Sequence, residues 1–353
     1  MQLVRCTFLF LKLLILEEGK NMKNSVAREE LIKQYLEVLH QGKIPWKESW
    51  SHCGRGYNVV TGRAYRGFNA LAIQFKNLIQ GYDDPRWCTF NQAKENGWRV
   101  RKGEKGTKLE FWSAYDLKLR KVIDLAVRDQ LIENGRDKDD FKVFNRDFVV
   151  FNAKQLDGIE PLQELNNDIK ADPVINTMLK NMKVVYQEIG NEAYYVRSTD
   201  LIRLPPKAHF KSDYAYNAVK LHEMCHATGH PSRLDRPAAS RSEIVEYAKE
   251  ELRAEIGASF LMTDLRIPYA EVNLDNHKAY IQNFINILEN DPQELFKAIT
   301  DADKISNYLL EKGGIQKDIM QVVDVKQKTS IQKSKREKSV SPKKKQINLE
   351  LDR

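Results

Sequence analysis

Cysteine is scarce. The chain has four in 353 residues, Cys6, Cys53, Cys88 and Cys225, and none stands in CxxC spacing. That excludes a disulfide framework and a thiolate zinc finger, and it fits a reducing cytoplasm, where we expect the protein to act. Long apolar runs are missing too. The run from Phe8 to Leu16 is broken by Lys12, is too short to cross a bilayer, and is followed by no small-x-small cleavage pattern. No membrane partner is expected. Net charge is nearly absent from most of the chain, although the total is +8. From Lys326 to Lys345 nine Lys/Arg face one acid, and the last eight residues net −1, which leaves +1 for residues 1–325. Overall basicity is therefore no argument for nucleic-acid binding by the folded part. No internal repeat is found.

What is present suits two domains. Glu17-Glu18-Gly19-Lys20 can be encoded by a purine-rich run of the ribosome-binding type, with Met22 at the right distance after it. Residues 1–22 therefore read as a misassigned or disordered N-terminus, with translation starting at Met22. Helical spacing of Leu31, Tyr35, Leu36 and Leu39 predicts a helix over Val26–Leu39. A Pro/Trp segment (42–50) follows, then a helix over Phe90–Asn96 and a turn-rich basic β region. Residues 116–147 are highly charged and read as an insertion, and Phe148–Asn152 as a buried strand that closes a first unit, 23–155. Pro161, Pro173 and many polar groups mark 156–175 as a linker. The second unit, 176–312, reads as a helix over Ile175–Ile189 and strands at Tyr194–Val196 and Asp200–Leu204. A helix bearing His222 follows, then one over Ser242–Met262 and two closing helices, Ala279–Leu288 and Pro292–Leu310. The Lys/Gln/Ser-rich tail, 313–353, reads as disordered. It could be a solubilising tail or a weak phosphate-binding arm.

Residues 221–230 read LHEMCHATGH. His222 and His226 are four apart, one turn from each other on one helical face, so both imidazoles can reach one ion. Glu223 sits where it can address a water on the open position of a three-ligand zinc site. Gly229 is a natural C′ residue that lets the chain turn away after His226. One zincin pattern continues HExxHxxGxxH, but Ser232 stands where its last His would be. His230 is two residues early and is the weaker candidate. The other pattern takes a Glu from a later helix, and 247–261 (YAKEELRAEIGASFL) offers Glu250, Glu251 and Glu255. Glu251 and Glu255 share one face and border the apolar stripe Ala248, Leu252, Ile256; Glu250 lies further from it. Carboxylates beside a buried stripe need partners. Glu251 is therefore proposed as third ligand and Glu255 as acceptor for a histidine N–H behind the metal. Zn2+, or another divalent ion, would acidify a water; Glu223 would take the proton and return it to the leaving amine of a peptide. Such substrates lie along a sheet edge, and the strand ending in Pro205-Pro206 is the expected edge.

All five tryptophans (Trp46, Trp50, Trp87, Trp98, Trp112) lie in the first unit, and 85–108 carries seven Lys/Arg against two acids. Aromatic faces with basic neighbours suit single-stranded DNA, where bases stack and phosphates meet cations. The candidate contacts are Arg86, Trp87, Trp98, Arg99, Arg101, Lys102, Lys105 and Lys108, with Trp98 the best aromatic because its surroundings are polar and glycine-rich.

The first half carries IPW (44–46), NVVTGRAYRGFNAL (58–71), WCTFNQAKENGWRVRKGEKGT (87–107) and VFNAKQLDG (150–158). The second carries LHEMCHATGHPSRLDR (221–236), YAKEELRAEIGASFL (247–261) and AYIQNF (279–284). In these motifs, and in their order, the chain resembles the ArdC-type antirestriction proteins of plasmids and other mobile elements. The resemblance spans about residues 26–312. It implies an α+β fold in each half, with a single-stranded-DNA-binding domain followed by a zincin-like metallopeptidase domain. It further implies a metal on His222, His226 and Glu251, and protection of incoming DNA. Any protein substrate, such as a restriction-system component, remains open, as do a non-catalytic protection factor and a general cytoplasmic peptidase.

Overall fold

A computed structural model of the chain describes residues 25–43, 54–162, 170–238, 243–267 and 278–315. The proposed start at Met22, the Pro/Trp segment from residue 44 on and the tail beyond 315 lie outside the described residues.

In chain order the first half contains α1 (Val26–His40), β1 (Tyr57–Asn58), α2 (Gly67–Gln80), β2 (Arg86–Thr89) and α3 (Phe90–Glu95). It continues with β3 (Arg99–Val100), β4 (Thr107–Asp116), β5 (Lys121–Asp124), α4 (Leu125–Glu133), β6 (Phe141–Asn152) and β7 (Leu156–Asp157). Local chemistry sets the helix starts. The Ser25 hydroxyl accepts from the Arg28 amide, and Thr89 with Gln92 forms a reciprocal capping box. Five strands form one sheet in the order β1-β2-β6-β4-β5, and β3 pairs separately with β7.

Residues 116–147, expected as an insertion, are built onto the sheet. Thr107–Asp116 and Phe141–Val150 pair antiparallel without interruption, and β5 adds to β4. The charges of this segment are spread over the strands, α4 and the turns on either side of that helix, most of them exposed to solvent.

The second half contains α5 (Ala171–Met182), β8 (Val185–Glu188), β9 (Tyr194–Val196), β10 (Leu201–Leu204), α6 (Asp213–Ala227), α7 (Ile244–Asp264), α8 (Lys278–Asn290) and α9 (Gln293–Lys312). The helix expected over Ile175–Ile189 is shorter at its end, because β8 begins at Val185, and it starts four residues earlier, inside the expected linker. Pro173 falls in its first turn, where a missing N–H is harmless. The three strands order as β8-β10-β9. β10, the expected edge, is therefore central, pairing with β8 parallel and β9 antiparallel. The edges are β8 and β9.

The halves share a core. Tyr35, Leu71, Phe75 and Trp87 pack in one cluster with Leu252, Ile256, Phe260, Phe284 and Leu295. Polar contacts reinforce the contact: Arg55 donates to Asp264 at 2.8 Å, and the Gln74 amide reaches the Ser259 and Thr263 hydroxyls at 3.2 Å each. Two domains are present, joined through packed helices rather than by the linker alone.

Candidate metal centre

The site is built by α6, α7 and the edge strand β9. The Ser212 hydroxyl starts α6 by accepting from the Ala215 amide at 3.1 Å. α7 crosses it closely because small residues stand at the contact. A Cβ added at Gly257 would lie 3.2 Å from the Cys225 sulfur and 3.3 Å from an Ile305 methyl, and Ala254 and Ala258 are buried in the same cluster. That approach brings the Glu251 carboxylate to the histidines.

The donor atoms form a small triangle. His222 Nε2 and His226 Nε2 are 3.0 Å apart, and the Glu251 carboxylate lies 3.5 Å from the first through Oε2 and 3.3 Å from the second through Oε1. Ligands bound tetrahedrally at about 2.0–2.1 Å stand roughly 3.4 Å from one another, so the spacing fits a single ion. All three side chains are mostly buried, Glu251 to 7% exposure, and two imidazole nitrogens with one carboxylate oxygen are a donor set suited to a divalent transition metal. Among the described residues, this is the one group of three or more such donors close enough to hold an ion.

The electrostatics of the triangle reflect its crowding. Burial works against the charged imidazole of His226, yet Glu250 and Glu251 outweigh it and its pKa rises well above the usual value. For His222 burial is likewise overcome, by Glu251 and Glu255, and its pKa is raised. Burial would raise the Glu251 carboxyl, but hydrogen bonds from both histidines hold it far below the ordinary carboxylate range.

The support behind the triangle differs from expectation. Glu255 stands 3.8 Å from His222 Nδ1, an ionic rather than a hydrogen-bonding distance. Glu250, placed further away by the sequence pattern, is 3.3 Å from His226 Nδ1. Arg236 holds Glu250 in place with a 2.6 Å hydrogen bond and also donates to the Cys225 carbonyl at 2.9 Å and the Thr228 hydroxyl at 2.6 Å. Burial opposes ionisation of Glu250, but His226 and Arg236 draw its pKa down to about 2. His230 bonds Ser232 at 2.7 Å and stays outside the triangle.

Gly229 does follow α6 at the C′ position, with a φ that is not positive. Space there is tight: a Cβ would sit 3.1 Å from the His226 carbonyl oxygen and 3.2 Å from Arg236. Arg233, meanwhile, donates to the Ala227 carbonyl at 2.7 Å and pairs with Asp200. Two arginines thus satisfy the carbonyls at the end of α6.

A cleft of about 1000 Å³ opens onto the triangle, lined by His222, Glu223, His226, Glu251, Tyr247 and residues of β9. The edge beside the site is therefore β9, not β10. Glu223 borders the cleft and is buried to 7% exposure, but it is not one of the three converging donors.

In the first half two proposed DNA contacts are overturned. Trp87 is fully buried at 0% exposure. Arg86, at 5%, is held by Asp84 through a 2.7 Å bond and by the Glu160 carbonyl at 3.0 Å. Neither can meet a strand of DNA. Trp98 is half-buried, packed beside Cys88, Ala93 and Leu156. Arg99, Arg101, Lys102, Lys105 and Lys108 are exposed. Arg99 pairs with Asp157 at 3.0 Å, Arg101 with Glu104 at 3.2 Å and Lys108 with Glu30 at 3.2 Å. Phe90 and Phe111, interleaved with the tryptophans in sequence but not singled out as contacts, are 56% and 54% exposed. Their exposure was not readable from composition, because both sit in otherwise ordinary apolar patterns.

Comparison with known proteins fits this architecture. Residues 25–151 match the N-terminal domain of anti-restriction factor ArdC, and residues 173–301 match a zincin-like metallopeptidase family. The crystal structure of antirestriction ArdC from plasmid R388, metal-free, shares 30% identity with a TM-score of 0.63, covering 82% of this chain and 98% of that one. The chain belongs to the ArdC antirestriction family. An Mn(II)-bound structure of R388 ArdC aligns equally, with a TM-score of 0.62. The uncharacterised protein y4eC of Sinorhizobium fredii is 30% identical across 80% of this chain and 90% of its own length. Two proteins from Escherichia coli named DNA primase TraC are 36% and 35% identical, over 80% and 83% of this chain. The chain spans only 27% and 20% of those two relatives. Family membership fixes the two-domain α+β architecture and suggests a divalent metal in the zincin-like half. Among the described residues no helix is long and apolar enough to cross a membrane.

Proposed function

We propose that the protein is an antirestriction factor whose first half binds single-stranded DNA and whose second half carries a zinc-dependent peptidase site. The observation that carries the second part is the triangle of His222, His226 and Glu251 facing a cleft bordered by Glu223. Zn2+ fits the nitrogen-rich donor set, and the Mn(II)-bound relative supports a divalent ion at this place. When bound, such an ion supplies a Lewis acid and an acidified water. Glu223 holds the proton taken from that water and delivers it to the leaving amine. β9 offers backbone groups at a sheet edge, along which an extended peptide can lie. Glu250, braced by Arg236, keeps His226 oriented with Nδ1 on its carboxylate and Nε2 toward the other donors.

For DNA, the supporting feature is the exposed basic turn. Among the described residues Lys102 and Lys105 have no ion-pair partner, and Arg99, Arg101 and Lys108 stand beside them. Trp98 and the exposed Phe90 and Phe111 offer aromatic surface in the same half. A phosphate-tracking, base-stacking mode fits this composition. The primase name of two relatives, which act on nucleic acid by that name, agrees with a DNA partner.

Glu223→Gln in the full chain tests both parts together. The substitution keeps shape but removes the proton acceptor. Metal content and salt-sensitive binding of a fluorescent single-stranded oligonucleotide should be unchanged, while cleavage of a peptide library falls about a hundredfold or more. Undiminished antirestriction in cells carrying this variant would make the protein a non-catalytic protection factor. Absence of salt-sensitive DNA binding in the wild type would remove the first part.

A further inference from the structure

A second cavity, of about 420 Å³, opens at the other edge of the three-stranded sheet, beside β8. It shares α6 with the metal centre but uses a different face: Lys220 precedes His222 by two residues, about 200° around a helix. The cavity is unlike a water-filled dent because its charges are unevenly matched. Glu188 accepts hydrogen bonds from the Tyr186 hydroxyl at 2.8 Å and the Tyr216 hydroxyl at 2.5 Å. Asp172 is held by Lys207 at 3.0 Å and by the Asn217 amide at 2.9 Å, and Lys207 also faces Asp213 at 3.2 Å. Both cavity carboxylates are thus satisfied.

Lys220 is not. It is 4% exposed, and among the described residues no carboxylate pairs with it. Its ammonium donates to the Asn176 side-chain carbonyl at 3.0 Å and the Tyr216 hydroxyl at 3.3 Å, both neutral. An ammonium has three N–H donors, so one remains for the cavity. The rings of Tyr186 and Tyr216 stand 4.9 and 5.2 Å from the nitrogen and stabilise the cation only in part. A buried charge without a counter-ion is costly. Burial accordingly holds the Lys220 pKa below that of an ordinary lysine, with Glu188 and Asp172 acting the other way at longer range.

We propose that this cavity binds the anionic group of a small molecule, a carboxylate or a phosphate, with Lys220 as its counter-ion and the rings of Tyr186 and Tyr216 as its apolar walls. The volume lies at the small end of ligand pockets, which suits a metabolite-sized anion rather than a peptide chain. The site does not depend on the metal centre or on the reaction proposed there.

Per-lysine acylation footprinting of the full chain tests it, with labelling at each lysine read by mass spectrometry. The runs compare sodium chloride, sodium phosphate and sodium succinate at equal ionic strength. Lys220 should be labelled in chloride and protected saturably by phosphate, succinate or both, by about tenfold once the anion exceeds its Kd about tenfold. Lys207 and Lys180, at the same cavity rim, should change little. Phosphate protection alone identifies a phosphorylated ligand class, and succinate protection alone a carboxylate. The protection should persist with 1,10-phenanthroline present. Equal labelling of Lys220 in all three salts overturns the proposal, and so does a Lys220 that is never labelled, since its amine would then not face an open cavity.

Discussion

His226 shows how a single side chain is specified from two sides. Its Nε2 faces the other two donor atoms, while Nδ1 faces Glu250, which Arg236 clamps from the loop after α6. Removing that brace leaves the imidazole free to rotate or to take the wrong tautomer. Glu250→Gln should therefore weaken metal affinity about 10- to 100-fold without removing a ligand, measured by competition with a chromophoric chelator. Unchanged affinity would deny Glu250 its positioning role. His222, Glu223 and His226 were legible because a helix maps a four-residue spacing onto one face. Glu251 was legible because a carboxylate beside an apolar stripe needs a partner. Glu250 was not, because its place depends on Arg236, which reaches it through the turn of the intervening loop. The burial of Trp87 and Arg86 was hidden for a similar reason: a basic, aromatic stretch reads alike whether it faces solvent or lies between a sheet and a helix.

At the scale of elements, α6 must end where it does for the histidines to stay in register with α7. Arg233 secures that end. Its guanidinium is 3% exposed, donates to the Ala227 carbonyl and is neutralised by Asp200. Asp200→Asn leaves the cation buried without its counter-charge and should cost about 3 kcal/mol or more, seen as a lower Tm near neutral pH. Burial tends to raise the Asp200 carboxyl, but hydrogen bonds from Arg233 and Tyr195 bring its pKa below the ordinary value of 3.8. A depressed folded pKa stabilises above the unfolded one and loses that stabilisation as pH falls through the folded one. The gap between wild type and Asp200→Asn should thus be full at neutral pH and shrink below about pH 4. A gap independent of pH would place the effect elsewhere. Helix and strand positions near this site were readable from periodicity and caps. Pairing order was not, because β10 carries no local mark of being central; only its two partners reveal it.

At the scale of the molecule, the two domains unfold as one body if the shared core governs. Arg55 spans the junction, with its guanidinium 2.8 Å from Asp264 and 3.5 Å from Asp303. The Asp264 side chain is 1% exposed, so Arg55→Ala strands a buried carboxylate and should cost about 3 to 5 kcal/mol. Thermal unfolding should then shift to lower temperature as one transition; two separate transitions in the wild type would contradict the shared core. The joint is invisible in sequence because it arises from contacts some two hundred positions apart, whereas the order of the two domains was readable from their motifs. The same joint carries α7, and with it Glu251, against the first half, so the metal centre is a property of the whole chain. The most direct measurement is the metal content of the full-length protein, wild type beside His222→Ala, after loading with Zn2+ and removal of excess. We predict one tightly held ion per chain in the wild type and its loss in His222→Ala; equal content in the two would contradict the assignment of His222, His226 and Glu251 as the metal's ligands.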